Sequence, residues 1–507
     1  MAEMKHYTLG EYVKLLEEKG MLAEYDLQGK DGEEIKLLTY DSREVTQGTL
    51  FICKGAAFKA EYLKNSMNQG AVCYVSEKKY ELEKEVPYIL VKGIRDAMAV
   101  LANFFYNKPW EDLAVIGFGG TKGKSTSTYY MKAVVDDYLA AQDKPESAVI
   151  STIDIYDGKS KVESHITTPE AVELQMHLRN ALDCNIEYAE MEISSQALKY
   201  GRVDEMQFDV SVFLNISEDH ISPIEHPDFE DYFQSKMKMF EKSKTAVVNL
   251  DADYIDQILE ASKAAGEVVT FSTKNPEADY YAYNIHKEGK DIHFSVKCEA
   301  FDEEFVLTMP GFFNVENALG VVAASVKLGI PTEYIHSGLR RARSSGRMEF
   351  YHSKDHEIMA IVDYAHNKLS FEKLFSAMKE EFPDYSLVAI FGCPGKKSLL
   401  RRKYLGTIAG QYSKMVYLVA EDPGYEPVED ISKEIAQYVE AQKCPYKMIE
   451  DRGEAIKDAI ETAEGKTLLL VTGKGAETRQ KYGCEYLDCP SDVEYVQRYL
   501  AEYDSRH

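Results

Sequence analysis

The chain has 507 residues, of which 45% are hydrophobic and 28% charged, with a formal net charge of −26. That length exceeds one ordinary core and implies about three domains. The acidic balance excludes general binding to nucleic acid or anionic membranes, so any anionic ligand must be held by local cations and backbone N–H groups. The opening stretch MAEMKHYTLGEYVKLLEEKG is polar and helical in period, unlike a signal peptide, and no apolar run approaches the roughly 20 residues of a membrane span. The eight cysteines have neither zinc-ligand nor C-x-x-C spacing, and only Cys484 and Cys489 are close. Reduced thiols in a cytoplasm are expected.

Short apolar runs alternate with amphipathic stretches, which predicts an α/β protein with mostly parallel sheets. The first segment carries the strand-like runs TLFICKG, AVCYVSE and PYILVKG, then the helix-like IRDAMAVLANFFYN, and ends at the linker Asn107-Lys108-Pro109-Trp110. A second segment opens with the strand LAVIGF and closes with the helix PTEYIHSGLRRAR. The third begins near Ser344-Ser345-Gly346, so the expected domains are 1–110, 111–344 and 345–507. Four strands in the third segment, EIMAIVDYAH, YSLVAIFGC, KMVYLVAEDP and KTLLLVTGKGAE, end at Asp363, the Gly392 to Lys397 turn, Glu421-Asp422 and Gly473-Lys474-Gly475. Ligands bind outside the carboxyl ends of parallel strands, so these four ends predict one binding site.

Residues 117–126 read GFGGTKGKST, between LAVIGF and the helix-like STSTYYMKAVVDDYLA. Phe118 stands where the G-x-x-x-x-G-K-[ST] spacing needs glycine. The strand–loop–helix context is nevertheless that of a phosphate loop, whose N–H groups and helix N-terminus face phosphates. Lys124 would pair with phosphate oxygens and the Ser125 hydroxyl would reach Mg²⁺. Further along, Glu192 and His220 offer a hard oxygen and an imidazole to a divalent metal, though a capping carboxylate and a core histidine would read alike. In FEDYFQSKMKMF, Lys236 shares a helical face with Phe229, Tyr232 and Phe233, where desolvation favours its free base. Lys238 falls off that face and reads as a snorkelling lysine.

GGTKGKST resembles the short G-T-x-G-K-[ST]-[ST] loop of the Mur ligases and their folylpolyglutamate synthase relatives. Thr167-Thr168-Pro169, Glu192-Ile193-Ser194-Ser195, Asn215, Glu218-Asp219-His220, Asn314 and Asn317, Gly346-Arg347-Met348-Glu349 and Asp363-Tyr364-Ala365-His366 follow in the family's order. The resemblance implies three domains: an N-terminal nucleotide-substrate domain, a central P-loop ATPase domain with a mostly parallel sheet, and a C-terminal Rossmann-like domain. It implies an ATP-dependent amide ligase, with ATP held by Gly120, Thr121, Lys122, Gly123, Lys124, Ser125, Thr126, Asn317, Arg347 and Asp363. It assigns Lys124, Glu192, His220 and Lys236 to catalysis, with Lys236 carbamylated, and Ser125, Glu192, His220 and the carbamate to two Mg²⁺ ions.

DSREVTQGTLFICKGAAFKAEYL resembles the uridine-nucleotide segment of members that add the third peptide residue. By that resemblance Ser42, Thr167, Thr168, Ser194 and Arg202 hold a UDP-N-acetylmuramoyl-dipeptide, and Arg402 holds the α-carboxylate of the incoming amino acid. Members that add meso-diaminopimelate carry D-N-P-R, whose arginine meets a distal carboxylate. Glu421-Asp422-Pro423-Gly424 has two acids and no arginine, and looks like the D-D-P-N motif of lysine-adding members. Gly473 and Glu477, in GKGAE, agree. The expected enzyme is a monomer acting on small molecules, with L-lysine as the amino acid. Diaminopimelate or ornithine, a folylpolyglutamate-like ligase and a non-ligating P-loop switch are the alternatives.

Overall fold

Apolar runs and amphipathic stretches resolve into three helix-covered sheets that follow one another along the chain, plus a small hairpin sheet. The structure, a computed structural model, describes residues 4–55, 58–164, 166–219, 221–222, 225–343, 346–396 and 399–507.

The first sheet has five strands, ordered Leu22–Asp26, Tyr88–Val91, Ala71–Ser76, Thr49–Ile52 and Leu37–Thr39, of which only Leu22–Asp26 pairs antiparallel. The helices Leu9–Glu18 and Ile94–Phe105 bury Leu9, Tyr12, Leu16, Ala97 and Leu101 against it.

The central sheet has eleven strands, parallel through its middle and antiparallel at both edges. Strand Ala114–Gly119 lies between Tyr188–Glu192 and Phe208–Phe213, with Phe118 opposite both Glu192 and Val212. Three strand ends therefore bring the glycine loop, Glu192 and the chain after Phe213 side by side. Helices Lys124–Ala140, Phe313–Lys327 and Thr332–Arg341 cover one face. Gly338 permits that layer to close, because a Cβ there would lie 2.4 Å from the Val134 Cα. Strand Tyr280–Glu288 joins the sheet parallel, and Asp291–Lys297 and Asp302–Leu307 then extend it antiparallel, an edge that the apolar runs did not predict. Their alternate buried and half-buried residues mark a one-sided edge.

The third sheet runs Glu349–His352, Ile358–Asp363, Thr467–Thr472, Ser386–Phe391, Met415–Leu418 and Tyr446–Met448, with only the first strand antiparallel. Its four middle strands are the four expected from their apolar runs. Central Thr467–Thr472 is buried at every residue, as a strand covered on both faces must be. All eight cysteines are free. Among the described residues no helix is long and apolar enough to cross a membrane.

Candidate active site

Phe118 is fully buried in the core under the glycine loop, which is why it can replace the glycine of the longer spacing. The turn starts later, at Gly120 (φ 138°), and Gly123 (φ 85°) precedes helix Lys124–Ala140. Both angles lie where L side chains are strained. A Cβ on Gly123 would also lie 2.2 Å from Asn317 Oδ1, so the loop packs directly on that asparagine. Asn215 braces the loop from the other side. Its carbonyl accepts Thr121 N (3.0 Å), its Oδ1 accepts Lys122 N (2.9 Å), and its Nδ2 donates to the Lys122 carbonyl (3.1 Å). Lys124 Nζ donates to the carbonyls of Gly120 (3.0 Å) and Thr121 (3.2 Å), and burial pushes its pKa down.

A cavity of about 150 Å³ opens over this loop and is lined by Thr121 to Thr126, Thr152, Thr167, Glu192, Arg347, Tyr364 and His366. Glu192 is buried and accepts Thr152 N (2.8 Å) and Thr152 Oγ1 (3.2 Å). Thr168 Oγ1 donates to the Glu192 carbonyl (2.8 Å) and accepts Ser194 N (3.1 Å), while Ser194 caps helix Ser195–Lys199. Arg202 donates to the Thr168 carbonyl (3.1 Å) and pairs with Glu170 (2.9 Å). Glu170 also pairs with Lys54 (2.7 Å), which ties the first sheet's loops to this wall. Ser42 is half-buried in a loop of that first segment, two residues from Tyr40, whose hydroxyl donates to Glu173.

Lys236, in helix Phe229–Met237, is almost fully buried, and its Nζ donates to the Gly120 carbonyl (2.8 Å). Burial, helped by the charges of Lys124 and Lys122, pushes its pKa well below the ordinary lysine value. Lys238 is exposed, as expected. His220 lies outside the described residues.

Across the interface, Arg347 donates to Ser125 Oγ (3.0 Å) with its guanidinium 4.4 Å from the Tyr364 ring centre. Asp363 is committed to backbone: its oxygens accept Met348 N (2.9 Å) and Ala365 N (2.7 Å). Burial raises its pKa and the Arg347 charge opposes the rise.

The strand ends of the third sheet surround a second cavity of about 360 Å³ that includes Lys396, Arg401, Glu421, Asp422, Gly424, Gly473, Lys474 and Glu477. Glu421 is buried with Oε2 lacking a hydrogen-bond partner, and burial pushes its pKa up to about 7. Gly473 (φ 104°) makes room for it, since a Cβ there would lie 2.2 Å from Glu421 Oε2. Asp422 is already neutralised: its Oδ1 meets Lys474 Nζ (3.0 Å) and accepts Lys481 N (2.9 Å). Lys474 also pairs with Glu477 (2.5 Å). The Pro423 carbonyl would lie 1.8 Å from a Cβ on Gly395, so these two turns touch. Gly424 (φ 57°) exchanges backbone bonds with Lys481 and Gly483 of the hairpin.

Arg402 does not line this cavity: it is almost fully buried and paired with Glu426 (2.7 Å) and Glu434 (2.5 Å), and Glu426 in turn accepts the backbone N–H of Lys396 in the cavity wall (2.8 Å). One residue earlier, about 100° around the helix, Arg401 lines the cavity and donates to Asp219 (3.0 Å).

Residues 119–325 match the Mur ligase middle domain and residues 346–475 the Mur ligase glutamate ligase domain. A Lactobacillus acidophilus protein named UDP-N-acetylmuramyl-tripeptide synthetase is 31% identical, with 98% of each chain covered. The chain belongs to the Mur ligase family. It is an ATP-dependent acid–amino-acid ligase. An Enterococcus faecalis relative named UDP-N-acetylmuramoyl-L-alanyl-D-glutamate--L-lysine ligase is 38% identical over 88% of each chain. In fold, the Mur ligase is similar to a solved UDP-N-acetylmuramoyl-L-alanyl-D-glutamate--2,6-diaminopimelate ligase, with a TM-score of 0.65, 22% identity and 99% and 100% of the two chains covered.

Besides Arg401 and Lys474, Asn215 and Asp219 of this Mur ligase site have no role in the sequence analysis. Asn215, a member of the family's motif order, braces the phosphate loop. Asp219 accepts Asn367 Nδ2 (2.5 Å) and Arg401, with Lys122 Nζ at 3.4 Å, and so joins the phosphate loop to the third sheet. No local pattern signals this, because the partners lie in three separate parts of the chain.

Proposed function

We propose that this Mur ligase adds L-lysine to the γ-carboxylate of D-glutamate in UDP-N-acetylmuramoyl-L-Ala-D-Glu, in peptidoglycan precursor synthesis. The observation that carries the amino acid is Glu421, a buried carboxylate in the wall of the second cavity whose Oε2, packed against Gly473, has no hydrogen-bond partner. An ε-ammonium completes it; a distal carboxylate would meet like charge. The printed name of the Enterococcus faecalis relative agrees.

In this reading residues 1–110 take the uridine nucleotide through Ser42, residues 111–344 bind ATP and the dipeptide, and residues 345–507 bind the amino acid. Thr167, Thr168, Ser194 and Arg202 hold the dipeptide beside Glu192. An oxygen of the γ-carboxylate attacks the γ-phosphorus of ATP, ADP leaves, and an acyl phosphate forms. The α-amine of lysine then attacks the acyl carbon, the C–N bond forms, phosphate leaves and the amine releases a proton to water. The protein's part is positioning and charge neutralisation by Lys124 and Arg347. Asn317 supports the ATP site from beneath Gly123, and Asp363 supports it from the third segment by holding the Met348 backbone beside Arg347.

The donor set suits Mg²⁺, which takes few protein oxygens and keeps phosphates and water as its other ligands. Ser125 and Glu192 line one cavity and would hold it, with His220 from the resemblance. When bound, the ion neutralises phosphate charge. Lys236, whose pKa burial pushes down in favour of the free amine, is suited to add CO₂ and present a carbamate to a second ion. ¹³C-bicarbonate should give a carbamate resonance that Lys236→Arg lacks. We take the enzyme to act as a cytoplasmic monomer on small molecules, without nucleic acid; sedimentation at working concentration tests the monomer.

Phosphate release from ATP should require Mg²⁺, the nucleotide dipeptide and lysine together. Equal release without the dipeptide would contradict the ligase reading of the substrate.

A further inference from the structure

Arg452 opens helix Arg452–Glu461 and Asp492 opens helix Asp492–Asp504, and both are buried. Neither lines the amino-acid cavity. Arg452 Nε donates to Asp492 Oδ1 (2.8 Å) and its NH2 to Asp492 Oδ2 (2.6 Å), a two-bonded fork. The same guanidinium reaches two backbone carbonyls, Thr472 from NH2 (2.8 Å) and Ala420 from NH1 (3.3 Å). Those carbonyls immediately precede Gly473 and Glu421. The strands they follow, Thr467–Thr472 and Met415–Leu418, are not neighbours, because Ser386–Phe391 runs between them. One side chain therefore spans an intervening strand and joins the roots of the two loops that meet where Glu421 Oε2 lies against Gly473. Gln480 assists, donating to the Ala420 carbonyl (3.3 Å) and accepting Asp422 N (3.2 Å).

A charge pair this deep carries a desolvation cost that hydrophobic replacements would avoid, so its geometry needs a reason beyond stability. The Arg452 charge is also the strongest influence opposing the burial that raises the Glu421 pKa. We infer that Arg452, clamped by Asp492, is a positioning residue for the incoming amino acid, fixing the two loop roots and setting a positive charge behind Glu421. The inference deepens the lysine reading and rests on Glu421 as the acceptor of the side-chain ammonium. Lysine at 452 would keep the charge but could not form the fork to Asp492 and reach both carbonyls.

The test is steady-state kinetics on the full-length enzyme with Arg452→Lys, Arg452→Gln and Asp492→Asn, alone and with Glu421→Gln. A wild-type amino-acid panel comes first and tests the lysine reading separately; the amino acid it selects then serves for every variant. Arg452→Lys and Asp492→Asn should raise the amino-acid KM about tenfold, with the ATP KM within about twofold. Arg452→Gln should also move the pH at which the amino-acid KM turns upward. On the Glu421→Gln background Arg452→Lys should add little, because both act through one carboxylate. An unchanged amino-acid KM in Arg452→Lys, parallel rises in both KM values, or full additivity with Glu421→Gln would overturn the inference. Thermal midpoints recorded alongside separate folding loss from positioning, and the lysine variant keeps the test open if the glutamine variant does not fold.

Discussion

In the phosphate loop, backbone does most of the holding. Thr121 and Lys122 lean on Asn215, and two positive-φ glycines let the chain turn into a helix N-terminus. In the pocket proposed for the amino acid, side chains hold one another: Lys474 sits between Asp422 and Glu477, and Arg452 ties the loops from behind. A backbone-built site depends on spacing and on a few residue types. A side-chain-built site depends on which charges are already paired, and that is settled by residues far apart in sequence. Counting acids in the pocket overstates its demand for a cation, because Asp422 is satisfied within the protein and Glu421 is not.

The largest effect should come from the loop. Lys124→Ala removes the loop lysine that opens the helix, leaving Lys122 paired with Asp219, and turnover should fall on the order of 10³-fold with the amino-acid KM nearly unchanged, read by phosphate release. A comparable rise in amino-acid KM would mean that the two regions are not separable. Glu421→Gln should do the reverse, raising the lysine KM roughly 10- to 100-fold as a charge-assisted hydrogen bond is lost, while the ATP KM holds. Asp422→Asn should matter less, because Lys474 already occupies that carboxylate.

The pH dependence sharpens the same contrast. Burial raises the Glu421 pKa to about 7, so the carboxylate is ionised above that pH and neutral below it. The lysine KM should therefore be low above pH 7 and climb about tenfold per unit below it. Glu421→Gln should flatten that profile; a profile unchanged in the variant would assign the titration elsewhere. Smallest on the pocket should be Arg402→Met. Its partners Glu426 and Glu434 are not among the residues lining the cavity, and Glu426 reaches the wall only by accepting the backbone N–H of Lys396 (2.8 Å). A lowered thermal midpoint, worth about 1–3 kcal/mol, is expected with a smaller change in amino-acid KM than Glu421→Gln gives.

Much of the fold was legible because each of the four middle strands of the third sheet is an apolar run ending in polar residues, and burial on both faces requires that pattern. The antiparallel strands from Tyr280 to Leu307 were not, since a half-buried edge alternates polar and apolar residues without a single strong run. Lys236 could be placed inward from its phase relative to Tyr232 and Phe233, and it is buried. Arg401 and Arg402 could not be told apart, because adjacent helical residues differ by about 100° and nothing local says which face meets the pocket. The Lys474–Asp422 and Arg452–Asp492 pairs join residues 52 and 40 apart, and no spacing rule reports such partners.

The central claim is that Glu421 selects a side-chain ammonium. Phosphate release with the nucleotide dipeptide and ATP, measured with lysine, ornithine and meso-diaminopimelate in parallel, tests it most directly. Lysine should give the highest kcat/KM, with diaminopimelate at least about tenfold lower, consistent with like charge facing its distal carboxylate. Equal or better turnover of diaminopimelate would contradict the account.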